Sequence, residues 1–301
     1  MKNNKKDTAK PFLKWAGGKT QLLQGISDRF PFKSTQKFIY VEPFVGSGAV
    51  LFWVLQKFPK VEQVVINDIN ADLITAYRVI ASQVTELIEV LQQWQDEYHR
   101  MDHDPEAKSD YYYHKREQFN KRISTEVEQT ALLIFLNRTC YNGLYRVNTG
   151  NRFNVPVGRY KKPTICDAKN LKAVHQALQK VEVLHSDFEK TLQKALTKGF
   201  FYFDPPYKPL NATSSFNSYS NFSFGDAEQE RLKNFCDQLH ALGHQWMLSN
   251  SDVKVGNPDN HFFDDLYKEY YIERVPAKRN INSNGQKRGI LTELLITNYR
   301  K

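Results

Sequence analysis

No apolar run in this chain approaches the roughly 20 residues that span a bilayer. The opening residues, Met1-Lys2-Asn3-Asn4-Lys5-Lys6-Asp7, are polar and lack the apolar centre of a signal peptide. Cysteine is scarce. Cys140, Cys166 and Cys236 are odd in number, far apart and without metal-ligand spacing, which argues against a disulfide framework or a cysteine-held metal. A reduced, cytoplasmic protein without membrane or metal is expected. There is no internal repeat and no long low-complexity segment. The Gly-Lys-Ser/Thr ending of a P-loop is absent from the chain's glycine turn, Gly46-Ser47-Gly48. That turn is not a dinucleotide fingerprint either, because Leu51 stands where G-x-G-x-x-G needs its third glycine.

What remains is a chain of 301 residues, 41% hydrophobic, long enough for one large or two ordinary domains. The formal net charge of +9 favours a polyanionic partner. The basic residues cluster in polar sequence at Arg159-Tyr160-Lys161-Lys162, Lys278-Arg279 and Lys287-Arg288.

Apolar patterning divides the chain. Phe38–Glu42 and Val64–Asp68 read as strands, and Gly46–Gly48 opens a helix over 49–55. Leu73, Tyr77, Ile80, Val84, Leu87 and Leu91 recur at helical spacing, so one long amphipathic helix is expected from Asn70 to Trp94. Residues 95–125 are polar and aromatic-rich with no strand signal. Thr130–Asn137 reads as a helix. Asn142-Gly143 is a hairpin-turn dipeptide and Asn148-Thr149-Gly150-Asn151 a second turn, so 141–160 is expected to be an exposed β-hairpin region. Strands at 181–184, 200–203, 245–248 and 292–297, with a helix at 228–242, restore α/β alternation. A mostly parallel sheet with helices on both faces, interrupted by a helical and hairpin insert, fits this order.

The densest chemistry lies at Asp204-Pro205-Pro206-Tyr207, directly after the apolar run Gly199–Phe203. Proline fixes φ and supplies a carbonyl with no competing N–H. A carboxylate and a proline carbonyl can both accept from one exocyclic amino group, and a tyrosine ring gives a planar base a face to stack on. This is equipment for methylating an amino nitrogen of a nucleobase; an ordinary strand followed by a proline turn is the plain alternative. At Glu42-Pro43-Phe44-Val45-Gly46-Ser47-Gly48 the glycines allow close backbone approach to a small ligand, or simply make a tight connection. Asp68, ending the next strand, is placed to accept ribose hydroxyls. Trp15 and Lys19, within Phe12–Lys19, suit S-adenosylmethionine, with Trp15 as plain core the competing view. Asp187 reads equally as an adenine-amino acceptor or a helix N-cap.

Together these motifs resemble the DNA adenine methylase family, the α-type N6-adenine DNA methyltransferases. The likeness runs in order through Phe12–Lys19, Val41–Gly48, Asn67-Asp68, Leu136–Arg146, Phe153–Pro163, Asp204–Leu210 and Ser283-Asn284-Gly285. Thr139-Cys140 departs from the pattern at a variable place. The resemblance implies an α/β fold: a Rossmann-like S-adenosylmethionine-dependent methyltransferase sheet with an inserted helical and β-hairpin DNA-recognition domain. The catalytic domain would comprise 1–71 and 167–301, and the target-recognition domain 72–166. Asp204, Pro205 and Tyr207 would be catalytic. The cofactor site would draw on Trp15, Ala16, Gly17, Lys19, Glu42, Pro43, Phe44, Gly46, Ser47, Gly48, Asp68, Asp187, Phe188 and Asp204.

The implied partner is double-stranded DNA, bound by a monomer, with adenine in GATC as the target. Arg146 would bond the major-groove edge of guanine. Leu144 and Pro156 would touch a thymine methyl, Tyr160 the outer pair, and Lys14 a flanking base. Tyr141 would wedge into the stack beside Asn142. Arg138, Asn148, Asn154, Arg159 and Lys161 would hold phosphates. Two rival readings keep parts of this set: an adenine methyltransferase acting on RNA (or a glutamine methyltransferase), and a DNA-binding module without catalysis.

Overall fold

The structure, a computed structural model, describes residues 8–15, 19–195, 197–208, 224–277 and 291–301. Short β-branched and aromatic runs form its sheet: β1 (Ile39–Glu42), β2 (Gln63–Asp68), β3 (Val181–His185), β4 (Gly199–Phe203), β5 (Gln245–Ser251), β6 (Tyr271–Ala277) and β7 (Leu291–Thr297). Their order across the sheet is β3-β2-β1-β4-β5-β7-β6. The first five are parallel, and β7 runs antiparallel to both β5 and β6. The chain leaves β1 toward β2 on one side and returns to pair β4 on the other. The carboxyl ends of β1 and β4 therefore flank the topological switch point, where a sheet of this kind opens a crevice for ligands.

Alternate residues of the central strands enter two cores. Tyr40, Val64, Ile66, Phe200, Tyr202 and Met247 face one core, while Val41, Val65, Phe201, Phe203, Trp246 and Leu248 face the other. All five residues of β4 are buried, as a strand covered on both faces requires. Helices α1 (Leu23–Arg29), α2 (Ala49–Lys57), α3 (Ala71–Ser82) and α7 (Ala168–Leu178) lie on the first face; α8 (Asp226–Ala241) and α9 (Phe262–Leu266) lie on the second. Between α3 and α7 the chain adds α4 (Val84–Arg100), α5 (Pro105–Lys121) and α6 (Glu126–Thr139). The first core continues through Leu87, Leu91, Tyr112, Phe119 and the run Ala131–Leu136 without a break.

The long helix expected from Asn70 to Trp94 is two helices, broken at Gln83 (φ −130°, ψ 39°). Its apolar positions are all buried, so the periodicity located the face but not the break. The break is stabilised from outside: the carbonyls of Ile80 and Ala81 accept from His175 Nδ1 at 2.9 Å and Gln179 Nε2 at 3.0 Å, both on α7 or its end. Helix α5 lies in the stretch that gave no clear pattern. Asp104 caps it through the amides of Glu106 and Ala107, with Pro105 at its first position. A capping box between Thr125 and Glu128 starts α6 earlier than the apolar run implies. Among the described residues no helix is long and apolar enough to cross a membrane.

Candidate active site

Glu42 ends β1 and Asp68 ends β2, and the Glu42–Gly48 turn crosses between them. Gly46 (φ 48°) and Gly48 (φ 78°) take left-handed conformations that favour glycine. A Cβ on Gly46 would lie 3.2 Å from Trp15 Cδ1, and one on Gly48 2.6 Å from the Tyr77 hydroxyl. The turn is fastened from below: Tyr77 donates to the Gly46 carbonyl at 3.0 Å, and Asn67, 1% exposed, donates to Pro43 O at 3.0 Å and Ser186 O at 2.9 Å. Asp68 accepts from the amides of Gly46 at 3.1 Å and Asn70 at 3.0 Å, one on each oxygen. Ser47 is buried beside this turn.

Glu42 is 2% exposed; it accepts from the Tyr40 hydroxyl at 2.8 Å. Burial pushes its carboxyl well above the usual range, and the nearby Asp204 and Asp68 carboxylates push the same way. Burial also raises Asp68 and Asp204. Three acids are thus gathered where water stabilises their charges poorly.

Asp204 follows β4. Its Oδ1 meets Lys19 Nζ at 2.8 Å and accepts from Ser249 Oγ at 3.3 Å. Lys19 partly offsets the burial of Asp204, while Glu293 adds to it. The Lys19 ammonium also lies over the Tyr207 ring, 4.3 Å from its centroid, and the Tyr207 hydroxyl donates to Glu293 at 2.8 Å. Pro205 is buried. Gln229 on α8, fully buried, donates to Pro206 O at 3.2 Å and accepts from Asn250 at 3.2 Å, which fixes the proline turn to β5. Ser249, Asn250, Gln229 and Glu293 went unnoticed in the sequence. The first two carried a signal: a polar pair following Trp246-Met247-Leu248 marks the strand end beside the site.

Asp187 and Phe188 lie farther along the same edge. Asp187 accepts from Arg231 Nη1 at 3.0 Å and Nη2 at 2.8 Å, and from the Glu189 amide at 3.0 Å. The N-cap reading of Asp187 is therefore realised, with an ion pair added that holds its carboxyl below the usual range despite burial. Phe188 packs against Phe44, with ring centroids 5.4 Å apart.

The insert ends in the segment expected to be a hairpin. Two isolated bridges, Cys140–Val157 and Val147–Phe153, hold it, and the chain reverses at Asn148–Asn151. Asn142-Gly143 does not join two strands: it forms a short 3₁₀ turn, Tyr141–Gly143, just past α6, with Asn142 at φ 56° and Gly143 at φ 66°. The left-handed backbone that Asn and Gly tolerate here follows a helix end instead of closing a hairpin. Tyr145, Val147, Phe153 and Val155 point inward, so Leu144, Arg146, Asn148 and Pro156 stand exposed on the opposite side. Tyr141 is 54% exposed. Arg146 Nε donates to Asn154 at 2.7 Å, and Lys14 Nζ lies 5.0 Å from the Tyr160 ring centroid. Arg159 and Lys161 are exposed; the Lys161 carbonyl accepts from the buried Lys108 at 2.6 Å. Asn148 spends its side-chain oxygen on the amides of Gly150 and Arg152.

Arg138 corrects an expectation. Its guanidinium turns inward and donates to the Phe12 carbonyl at 2.8 Å, tethering the N-terminal segment instead of standing exposed like Arg159 and Lys161. Ala16, Gly17, Ser283-Asn284-Gly285 and the basic run Lys278–Arg288 lie outside the described residues, as do Pro209 and Leu210. Among the described residues no group of three or more His, Cys, Asp or Glu is placed to hold a metal.

Comparison with known proteins places this geometry. Residues 15–281 match the D12 class N6 adenine-specific DNA methyltransferase family. The chain is 49% identical over 296 residues to the Type II methyltransferase M.MjaIII of Methanocaldococcus jannaschii, covering 96% of this chain and 99% of the relative. It is 36% identical to the DNA adenine methylase of Haemophilus influenzae (95% and 92% covered) and 32% identical to that of Escherichia coli (94% and 93%). With an acid–proline turn at the switch point and a match over most of its length, the chain belongs to the N6 adenine-specific DNA methyltransferases of the D12 class.

Proposed function

We propose that this chain transfers the methyl group of S-adenosylmethionine to N6 of adenine in double-stranded DNA, with GATC as its target. The observation that carries the reading is the triangle of Asp204, Lys19 and Tyr207, an acid and an aromatic face bridged by one ammonium at 2.8 and 4.3 Å.

The strand ends suit the donor. Gly46 and Gly48 leave room for close contact, and the three crowded carboxylates Glu42, Asp68 and Asp204 favour a ligand bearing positive charge. Asp68 retains lone pairs for ribose hydroxyls after its two backbone bonds. Trp15 flanks Gly46 as a wall for the adenine ring. When bound, S-adenosylmethionine supplies an electrophilic methyl on a sulfonium.

The target amino group is buried in a duplex, so the adenine must swing out, at a cost of a few kcal/mol. Stacking on Tyr207 offsets part of that cost. Lys19 and Ser249 both bond Asp204 Oδ1, which directs Oδ2, with the Pro205 carbonyl, toward the two N6 hydrogens. These acceptors draw the nitrogen lone pair out of conjugation and hold it in line with the methyl carbon, which makes proximity a large share of the catalysis. The new C–N bond would replace the donor's C–S bond, whose electron pair would leave with the sulfur, and Asp204 would receive the N6 proton that is lost. Residues 72–166 serve as the recognition unit, presenting Arg146 and Leu144 to the major groove, and 1–71 with 167–301 carry the chemistry.

Incubation with tritiated donor and three substrates tests the proposal: a GATC duplex, a duplex changed at one of its bases, and the matching RNA. Label on N6-adenine of the GATC duplex alone is expected. Label on RNA, or none on any duplex, defeats the reading; equal label on both duplexes defeats only the GATC assignment.

A further inference from the structure

Asn137, at the end of α6, stands outside every role assigned above, yet its side-chain amide is engaged at both its oxygen and its nitrogen. It is 1% exposed. Its Oδ1 accepts from the Lys14 amide at 2.8 Å, and its Nδ2 donates to the Lys14 carbonyl at 2.8 Å and to the Gly143 carbonyl at 3.0 Å. The amide orientation is fixed by its partners, since an N–H must meet the oxygen and carbonyls must meet the nitrogen. One side chain therefore binds both backbone groups of Lys14 and the turn that precedes Leu144.

The neighbouring contacts leave no slack at this crossing. A Cβ on Gly143 would lie 2.3 Å from Lys14 Cδ and 3.2 Å from the Asn137 carbonyl. One residue past Lys14 and two past Gly143, Trp15 stacks on Tyr145 with centroids 5.0 Å apart and planes at 24°. Tyr145 in turn donates to Asp72 on α3 at 2.9 Å. The residue after Lys14 is Trp15, which meets the glycine turn at Gly46, and Lys19, paired with Asp204, stands five positions on in the sequence. The turn pinned here carries Tyr141, Leu144 and Arg146.

We propose that Asn137 is a positioning residue that makes placement of Lys19 and Trp15 depend on the posture of the DNA-reading turn, so that reading the correct site raises the rate of methyl transfer. Displacement of Gly143 on the duplex is passed through the Asn137 amide to the Lys14 backbone, five residues from the ammonium at Asp204. The inference rests on the proposed reading of the 141–160 segment as the DNA-contacting edge.

Asn137→Ala and Asn137→Asp are compared with the parent on a GATC duplex and on one altered at a single base. Asp keeps the acceptor for the Lys14 amide but removes both donors. For each variant that retains the parent's circular dichroism, kcat on GATC should fall by about 5–150-fold, the range typical of coupling between two sites. The rate ratio between the two duplexes should shrink with it. An equal proportional loss on both duplexes marks a merely structural residue and overturns the proposal, as does an unchanged ratio. Hydrogen exchange on the parent protein decides the matter even where the variants fail to fold: the GATC duplex should slow exchange of the Lys14 amide more than the altered duplex does. Equal protection by the two overturns the proposal. Transfer by the parent to GATC upholds the functional reading whichever way Asn137 falls.

Discussion

Asp204 is held between opposing influences, raised by burial and by Glu293 and lowered by Lys19. Removing it would take away the acceptor proposed for N6 while leaving the 141–160 edge proposed to meet the duplex unchanged. Asp204→Ala is therefore expected to lower kcat by about 10²–10⁴-fold while donor and duplex binding stay measurable, and full activity in that variant would refute the role. Glu42 shows the same conflict in a purer form. An acid whose folded pKa exceeds its unfolded value holds extra protons when folded, so its contribution to stability falls as pH climbs through that interval. Glu42→Gln keeps an acceptor for Tyr40 and avoids the ionisation. Its melting temperature should exceed the parent's at about pH 7, by roughly 2–4 °C per kcal/mol recovered, and the advantage should vanish near pH 4. A pH-independent difference in calorimetry contradicts this account, and weaker binding of the cationic donor is the expected cost. On the DNA side, Arg146 and Arg159 should separate two kinds of contact. Arg146→Ala relaxes discrimination at one base by about 1–3 kcal/mol; Arg159→Ala weakens binding to every duplex alike and reduces the salt slope by about 1. Filter binding across salt concentrations and single-base variants distinguishes them.

Among the elements, the segment 153–160 depends on a glycine for space. Gly158 donates to the Thr139 carbonyl at 2.8 Å. A Cβ there would lie 2.6 Å from the Tyr160 ring, 2.8 Å from Cys140 O and 2.9 Å from Thr139 O. Two of these are backbone atoms that cannot step aside, so Gly158→Ala should cost about 1–3 kcal/mol and detach the segment from α6. A melting temperature equal to the parent's would count against the packing described here. What was legible in the sequence follows the same division between local and distant causes. Strands β1, β2, β4 and β5 and the Glu42–Gly48 turn show in local apolar runs and glycines, and the structure brings Glu42, Asp68, Lys19, Asp204 and Tyr207 to one crevice. The break at Gln83 did not show, because α7, a hundred residues on, supplies the bonds that permit it. Helix α5 hid for a different reason: its buried face is built from Lys108, Tyr112, Lys115 and Phe119, two of them lysines that cover Tyr98 and Trp94 with their charge. Arg138 and Asn137 stand side by side in the sequence with nothing to mark them as inward-facing. The Phe12 and Lys14 carbonyls that they meet lie on a loop more than 120 positions away.

For the whole molecule, the net charge of +9 should make duplex affinity fall steeply with salt, while the chemistry at Asp204 stays shielded from it. Thermal unfolding should follow one calorimetric transition, since the apolar interior passes from the sheet into α4, α5 and α6 through continuous contact. Two resolved transitions, or an excised 72–166 fragment with native helicity, would show residues 72–166 to be independent. That unbroken interior has an evolutionary corollary. On the proposed reading, a reader that shares its foundations with the engine could not be exchanged like a cartridge, because grafting in a foreign insert would hollow out the other half of this shared core. New target preferences would then be reached by repainting the few outward residues of the 141–160 edge, one side chain at a time.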